Sequence, residues 1–328
     1  MRDKILGMLM KNRERHISGE AVSLELGVTR AAVWKHIKQL KDEGFHIESV
    51  NNRGYRLVKW PDRLESAVLK GLLNTRELGC CLEVHSTIDS TNMRAKELAL
   101  KGAPHGTLVL SEEQQRGRGR LGRVWVSPEG TGLWMSLLLR PALMPAEAFR
   151  ITMVAALVVA GALKNASGCD AGIKWPNDII MGGRKVCGIL TEIQAEPEVI
   201  QYAVVGIGVN VNNEAGSFPE ELAESAGSLR MAAGVQMDRM TLASSILNMF
   251  EDLYLRYCNN DSSGLAEEYR RASVTIGRKV RVSAPAGCFE GMAEDFGEDG
   301  SLLVRLADQS LKRVYSGDVS VRGIAGYV

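Results

Sequence analysis

The chain has 328 residues, 45% of them hydrophobic and 24% charged. These are globular values, so disorder and collagen-like structure are excluded as its main class, and the length favours two domains, or three if some are small. Forty basic and 39 acidic side chains leave a net charge of +1, which taken whole argues against a nucleic-acid or membrane protein. The total hides an asymmetry. Residues 1–60 carry 12 Lys+Arg and 7 Asp+Glu, a net of +5, while the remainder carries 28 and 32, a net of −4. A basic head favours polyanions by counterion release.

In chain order, Ile5, Leu6, Met8 and Leu9 stand at helical spacing. The apolar patch stops at Lys11, too short for a secretion signal. Ser18 is a good N-cap for a second helix through about Glu25. Leu26-Gly27-Val28 forms a turn in which Gly27 can take positive φ. Thr29 caps a third helix that Gly44 ends. Val33, Ile37 and Leu40 share one face of it; Ala31, Lys35 and Lys38 share the other, with Arg30 at the start. Residues 45–50 and 55–60 read as strands joined by the turn Asn51-Asn52-Arg53-Gly54. Three helices followed by a hairpin make a winged helix-turn-helix, whose third helix can enter a major groove. Thr29, Arg30, Lys35 and Lys38 are the candidate DNA contacts, with Arg53 on the wing. A basic helix face is often only solvated. Here its position, the basic bias and the wing coincide, so residues 1–62 read as a DNA-binding domain.

From 63 to 272, apolar strands alternate with helical stretches. Residues 107–111, 124–127, 132–140, 171–175, 185–193 and 202–211 read as strands. Residues 145–166, 241–257 and 263–273 read as helices. The order suggests hairpins rather than regular βαβ repeats, hence an α+β domain with a mixed sheet covered by helices. The longest apolar run, 151–163, is shorter than the ~20 residues of a spanning helix. The six cysteines include no CxxC and no metal spacing. Free thiols in a reducing compartment, and a cytoplasmic protein, are the expectation.

Four clusters carry chemistry. The first is Gln114-Gln115-Arg116-Gly117-Arg118-Gly119-Arg120-Leu121-Gly122-Arg123. It contains a literal GxGxxG, but no strand runs directly into it and no helix follows, so a dinucleotide-binding turn is rejected. A loop alternating Arg and Gly lets backbone approach a ligand closely and offers forked donors to phosphate or carboxylate. Its like charges should keep it loose until an anion arrives. The second is Lys174-Trp175-Pro176-Asn177-Asp178, with Lys185 beyond the next turn. The third, Asp89-Ser90-Thr91-Asn92, can also serve simply as a helix N-cap. The fourth is the Gly-interrupted strand Gly206-Ile207-Gly208-Val209-Asn210, suited to close backbone approach.

Together these motifs resemble the bacterial biotin–protein ligases, and the helical head makes the chain similar to the bifunctional form that is also a biotin operon repressor. The resemblance spans residues 1 to about 325. It implies a ligase catalytic domain over 63–272 and an SH3-like β-barrel over 273–328, where alternating residues and the turns at Pro285-Ala286-Gly287 and at 297–300 agree. It implies ATP and biotin as substrates, condensed to biotinyl-5′-AMP, and transfer of biotin to a lysine of biotin carboxyl carrier protein. It places Ser90, Thr91, Asn92 and Gln114 at biotin, with Gly117 backbone near its other end. Arg118 and Arg120 hold phosphate and join Lys185, at the carboxylate–phosphate junction, as the catalytic set. Arg123, Trp125, Asn177 and Asn210 serve the nucleotide, with Trp125 over adenine. Lys174 and Asp178 support geometry and the incoming lysine, and Arg116 is a surface charge. Magnesium is expected with ATP, though its ligands cannot be read. Operator DNA and a homodimer formed on biotinyl-AMP are the further implied partners; no membrane is. The alternatives are a DNA-binding sensor with an inactive ligase body, against which Arg118, Arg120 and Lys185 argue, and a lipoate ligase.

Overall fold

The computed structural model describes residues 1–260, 263–284, 287–316 and 320–323. Pro285 and Ala286 of one expected turn lie outside the described residues, as do 324–328 of the expected C-terminal domain. The chain divides into two compact units, Met1–Asn74 with Asp238–Ser244, and Thr75–Met237 with Ser245–Val328.

The first unit begins with α1 (Arg2–Lys11), α2 (Gly19–Leu26) and α3 (Arg30–Asp42). Both expected caps form: Ser18 Oγ accepts from Ala21 N at 3.0 Å and Thr29 Oγ1 from Ala32 N at 3.2 Å. Each such cap contributes about 1 kcal/mol. Gly27 takes φ 64° between α2 and α3. Ile5, Leu6 and Leu9 of α1 meet Val33, Ile37 and Leu40 of α3 in a buried core. The hairpin is β1 (His46–Val50) with β2 (Gly54–Lys59), antiparallel. Helix α4 (Ser66–Leu72) then packs against α1 and buries Ala67, Val68 and Leu69. The compact head therefore runs on past Asp62. Arg239, 1% exposed, is tied to the same unit through Asp62: Nε donates to Oδ1 at 2.7 Å and Nη2 to the carbonyl at 2.9 Å.

The second unit is built on a seven-stranded sheet. Its strands are β3 (Leu82–Ile88), β4 (Leu108–Gln114), β5 (Gly132–Leu139), β6 (Gly172–Lys174), β7 (Asp178–Met181), β8 (Arg184–Ala195) and β9 (Ile200–Asn210), in the order β3-β4-β5-β9-β8-β7-β6. Only β3 and β4 are parallel, joined through α5 (Thr91–Leu100); the other pairs are antiparallel. The mixed sheet is the one expected. Helix α6 (Ala148–Ser167) packs on β8 and β7 and buries residues on most of its faces, from Ile151 to Leu163. With its first turn it spans Pro145–Ser167, 23 residues whose most apolar 18-residue window has a mean hydropathy of 1.7, long and apolar enough to cross a membrane. Its apolar faces are instead spent on the core of this unit. The further α-helices of this unit among the described residues are α7 (Leu229–Ala233), the part of α8 (Arg239–Tyr254) that follows Ser244, and α9 (Leu265–Ala272); a π-helical turn follows α8.

The C-terminal strands β10 (Lys279–Ala284), β11 (Gly287–Phe296), β12 (Leu302–Arg305), β13 (Leu311–Val314) and β14 (Ser320–Gly323) form an all-antiparallel, SH3-like sheet ordered β13-β12-β11-β10-β14. It is joined to the central sheet through Trp175. The indole Nε1 donates to Gly300 O at 3.0 Å, and Trp175 N donates to Thr275 Oγ1 at 2.9 Å.

One strand departs from expectation. Residues 124–127 make only isolated bridges, Arg118 with Val124 and Gln114 with Ser127. Their hydrogen bonds go to the Arg/Gly loop instead, Trp125 N donating to Gly117 O at 2.9 Å. This segment is thus the return limb of the loop.

Candidate functional site

A cavity of about 420 Å³ opens in the second unit, walled by the Arg/Gly loop, the central sheet, residues 218–226 and the C-terminal sheet. Its size suits a small-molecule ligand. The four clusters lie far apart in sequence, and the topology brings all of them to it.

One end is a buried polar network. Ser90 is the N-cap of α5, yet its side chain makes no cap hydrogen bond. Gln114, at the end of β4, accepts through Oε1 from Thr91 N at 2.9 Å and Thr91 Oγ1 at 3.0 Å, and its Nε2 donates to Ser127 Oγ at 2.9 Å. Parallel pairing of Ile88 with Gln114 sets this meeting. Ser136 Oγ lies 2.7 Å from Thr91 Oγ1 and 2.5 Å from Asn92 Oδ1, and its single proton serves one at a time. Asn92 also donates to Glu192 Oε2 at 2.8 Å and Leu190 O at 3.3 Å. Its amide therefore ties α5 to β8 across the cavity wall. Met135, Ile189, Leu190 and Ile207 add an apolar lining.

The other end is cationic. Arg118, Arg120, Arg123, Lys174, Lys185 and Arg322 line it. Lys185 Nζ is 2.7 Å from Asp178 Oδ1 and 5.1 Å from the Trp125 ring centroid. Arg120 donates to Asn177 Oδ1 at 3.2 Å and to Ser316 O, bridging the loop to the C-terminal sheet region. Arg118 and Arg123 are exposed on the loop. Asn177 donates to Ile189 O at 2.6 Å and Asn210 to Gly227 O at 3.0 Å, so both amides also brace the backbone around the cavity. Burial lowers the Lys174 ammonium to about 8, with Lys185, Arg322 and Arg123 adding repulsion against an attractive Asp178.

The glycines of β9 are approached by side chains of the protein itself. A Cβ at Gly208 would sit 2.6 Å from Trp125 Nε1, and one at Gly206 would sit 2.1 Å from Asn92 Oδ1. They let the indole and the amide lie flat on the sheet.

Of the expected small-molecule site residues, Gly117 alone is absent from the lining. It is buried behind the Trp125 carbonyl, 2.2 Å from where its Cβ would stand. Arg116 points away, 79% exposed and 3.8 Å from Asp89, a surface charge as expected. Residues 218–226 and Arg322 were not anticipated. The first pair through backbone with Lys185, whose N donates to Ser225 O at 2.7 Å.

In the first unit, Arg30, Lys35 and Lys38 are all exposed on α3, away from its buried face, and Arg53 is exposed on the wing turn. Thr29 spends its hydroxyl as the helix cap.

The comparisons with known proteins define the class: a ligase of the biotin and lipoate type carrying a DNA-binding head. The "Biotin/lipoate A/B protein ligase family" matches residues 84–210, an "HTH domain" matches 2–56, and the "Biotin protein ligase C terminal domain" matches 275–322. The chain belongs to the bifunctional ligase/repressor family. It is 38% identical over 321 residues to the bifunctional ligase/repressor BirA of Bacillus subtilis, covering 98% of both chains, and 30% identical over 315 residues to that of Escherichia coli, covering 96% of this chain and 95% of that one. A biotin protein ligase from Aquifex aeolicus solved with biotin and ATP superposes with a TM-score of 0.65 at 28% identity, over 74% of this chain and 99% of that one.

Proposed function

We propose that this chain activates biotin with ATP to biotinyl-5′-AMP and pyrophosphate, transfers biotin to a lysine of biotin carboxyl carrier protein, and represses biotin genes through its head. The observation that carries the reading is one cavity with a neutral hydrogen-bonding end at Ser90, Thr91 and Gln114 and a cationic end at Lys185, Arg118 and Arg120. A ureido ring needs the first, and a carboxylate meeting a triphosphate needs the second.

A carboxylate and an α-phosphate repel each other, and the carboxylate is a poor electrophile until adenylated. The work left to the protein is alignment and neutralisation of charge. Lys185, held by Asp178, stands at the junction and stabilises the charge building at phosphorus. Arg118 and Arg120 take the phosphates, and Trp125 offers its face to adenine. Arg123 lies along the nucleotide, while Asn177 and Asn210 hold the backbone on that side. Asn92 acts on biotin indirectly, by fixing α5 and so Ser90 and Thr91. Gly117 lets Trp125 close over the site. In the second step the carrier lysine attacks the acyl carbon, AMP leaves, and the amine proton must be accepted; we assign that acceptance to Lys174, which lines the cavity with its pKa lowered by burial.

Among the described residues no group of three or more His, Cys, Asp or Glu side chains could hold a metal ion. Magnesium would enter bound to the triphosphate.

The helix-turn-helix head binds operator DNA, with Arg30, Lys35, Lys38 and Arg53 toward the duplex and Thr29 at its edge. A homodimer formed on biotinyl-AMP would present two heads to a two-fold site, in the cytoplasm. Sedimentation with and without biotin and ATP tests this; one monomeric species in both would contradict it. For the enzyme, the test is biotin-dependent exchange between ATP and pyrophosphate. Lipoate in place of biotin decides the remaining alternative within the family, and exchange supported by lipoate alone would overturn the substrate assignment.

A further inference from the structure

The basic face of α3 carries a residue that its charge pattern does not explain. Trp34 is 57% exposed. Trp134 and Trp175 are fully buried, and Trp60 and Trp125 are half-buried. Trp34 therefore stands apart from the other tryptophans, in a chain where aromatics make up only 5% of residues. An indole left in water gives up about 2 kcal/mol or more of burial, so an exposed one is a candidate contact.

Its surroundings say what it would contact. Arg30 and Ala31 lie one turn before it and Lys38 one turn after, all exposed on the same side of the helix. Residues 30–38 contain no Asp or Glu. Lys38 Nζ lies 5.8 Å from the indole centroid, within the range of a weak, exposed cation–π contact. Lysine is depleted from the cores of protein–protein interfaces, whereas a basic helix face after a helix-turn-helix suits a phosphate-walled groove. Within a major groove the apolar feature available to an indole is the thymine 5-methyl group.

We propose that Trp34 is a specificity-determining residue of the DNA-binding head, packing its indole on a thymine methyl while Arg30, Lys35 and Lys38 hold the phosphates. Phosphate contacts position a protein and base contacts specify the sequence. The proposal rests on the DNA-binding reading and assigns the apolar part of its readout.

The test uses the full-length protein with biotin and ATP present. Duplexes are selected from a random library by the wild type. Each conserved thymine of the winning duplex is then replaced by deoxyuridine, which removes only the methyl group. Loss of one buried methyl corresponds to about four-fold weaker binding. The wild type should show that loss at one or more positions in each half-site. W34A should bind the parent duplex about ten-fold or more weakly and no longer discriminate thymine from deoxyuridine there, and W34F should fall between. The salt slope should not change, since no phosphate contact is removed. Undiminished deoxyuridine discrimination by W34A, or a changed salt slope, would overturn the role of Trp34 and leave the DNA-binding reading intact. Failure of the wild type to enrich any sequence would remove that reading and the proposal with it.

Discussion

Lys185 Nζ and Asp178 Oδ1 stand 2.7 Å apart, one near the start of β8 and the other at the start of β7. Both side chains are largely shielded, at 24% and 16% exposure, so the pair fixes where the ammonium points before substrate arrives. In Lys185→Ala, adenylation should fall by about 10²-fold or more, the scale of losing one charge-stabilising donor, while the protein stays folded at the assay temperature although Asp178 loses a partner and the melting temperature falls. Biotin-dependent pyrophosphate exchange and a thermal scan on the same sample check this. Unchanged exchange would remove Lys185 from the reaction.

Arg118 and Arg120 should differ although they sit two residues apart. Arg118 is exposed, whereas Arg120 is held by Asn177 and Ser316. Arg118→Ala should chiefly speed dissociation of biotinyl-AMP, measured by single-turnover chase. Arg120→Ala should in addition loosen the Arg/Gly loop, visible as faster hydrogen exchange over 116–124. Identical exchange behaviour in the two variants would contradict the bridging role.

Lys174 gives a pH dependence. Burial lowers its pKa to about 8, so it is cationic well below that pH and neutral above it. If the neutral amine takes the proton of the incoming lysine, biotin transfer from preformed adenylate should rise with pH and level off above about 8. Lys174→Arg cannot lose its charge in this range and should shift that inflection away. A wild-type transfer rate flat from pH 6.5 to 9 would exclude the role.

Glu251 provides a stability test away from the site. Burial pushes its carboxyl pKa up, but hydrogen bonds from the backbone N–H groups of Leu78, Arg76 and Glu77 pull it down further, to a net lowering. A lowered folded pKa means stability that is present above the ordinary glutamate range and lost as pH falls through the folded value. Glu251→Ala should cost about 2–3 kcal/mol at pH 7, because buried donors lose their acceptor, and the deficit should shrink below pH 4. Denaturant melts at pH 7 and pH 3.5 decide it; an equal deficit at both would show that the charge does not matter.

The elements visible in the sequence are those whose signal is local. Ser18, Gly27 and Thr29 mark the helix boundaries of the head by capping and positive φ; the Arg/Gly loop suggests an anion ligand by composition, and Lys174-Trp175-Pro176-Asn177-Asp178 is legible as a motif of the family it resembles. What stayed hidden depends on long-range packing. Arg322 reaches the cavity only because β14 pairs with β10 in a second sheet. Residues 218–226 have no periodicity or motif, and their place beside Lys185 comes from backbone pairing alone. Val124 and Val126 look like strand residues, but their segment closes a loop. Asn92 reads as a ligand contact, yet its amide is committed to Ser136, Leu190 and Glu192, partners that no local spacing reveals.

If this cavity makes biotinyl-AMP, its acyl group must pass to a carrier lysine. Labelled biotin, ATP, magnesium and an apo biotin carboxyl carrier domain, incubated with the purified protein, measure it directly. Covalent label should appear on the carrier, depend on ATP and be lost in Lys185→Ala. Absence of label with folded wild-type protein, or equal labelling by Lys185→Ala, would contradict it.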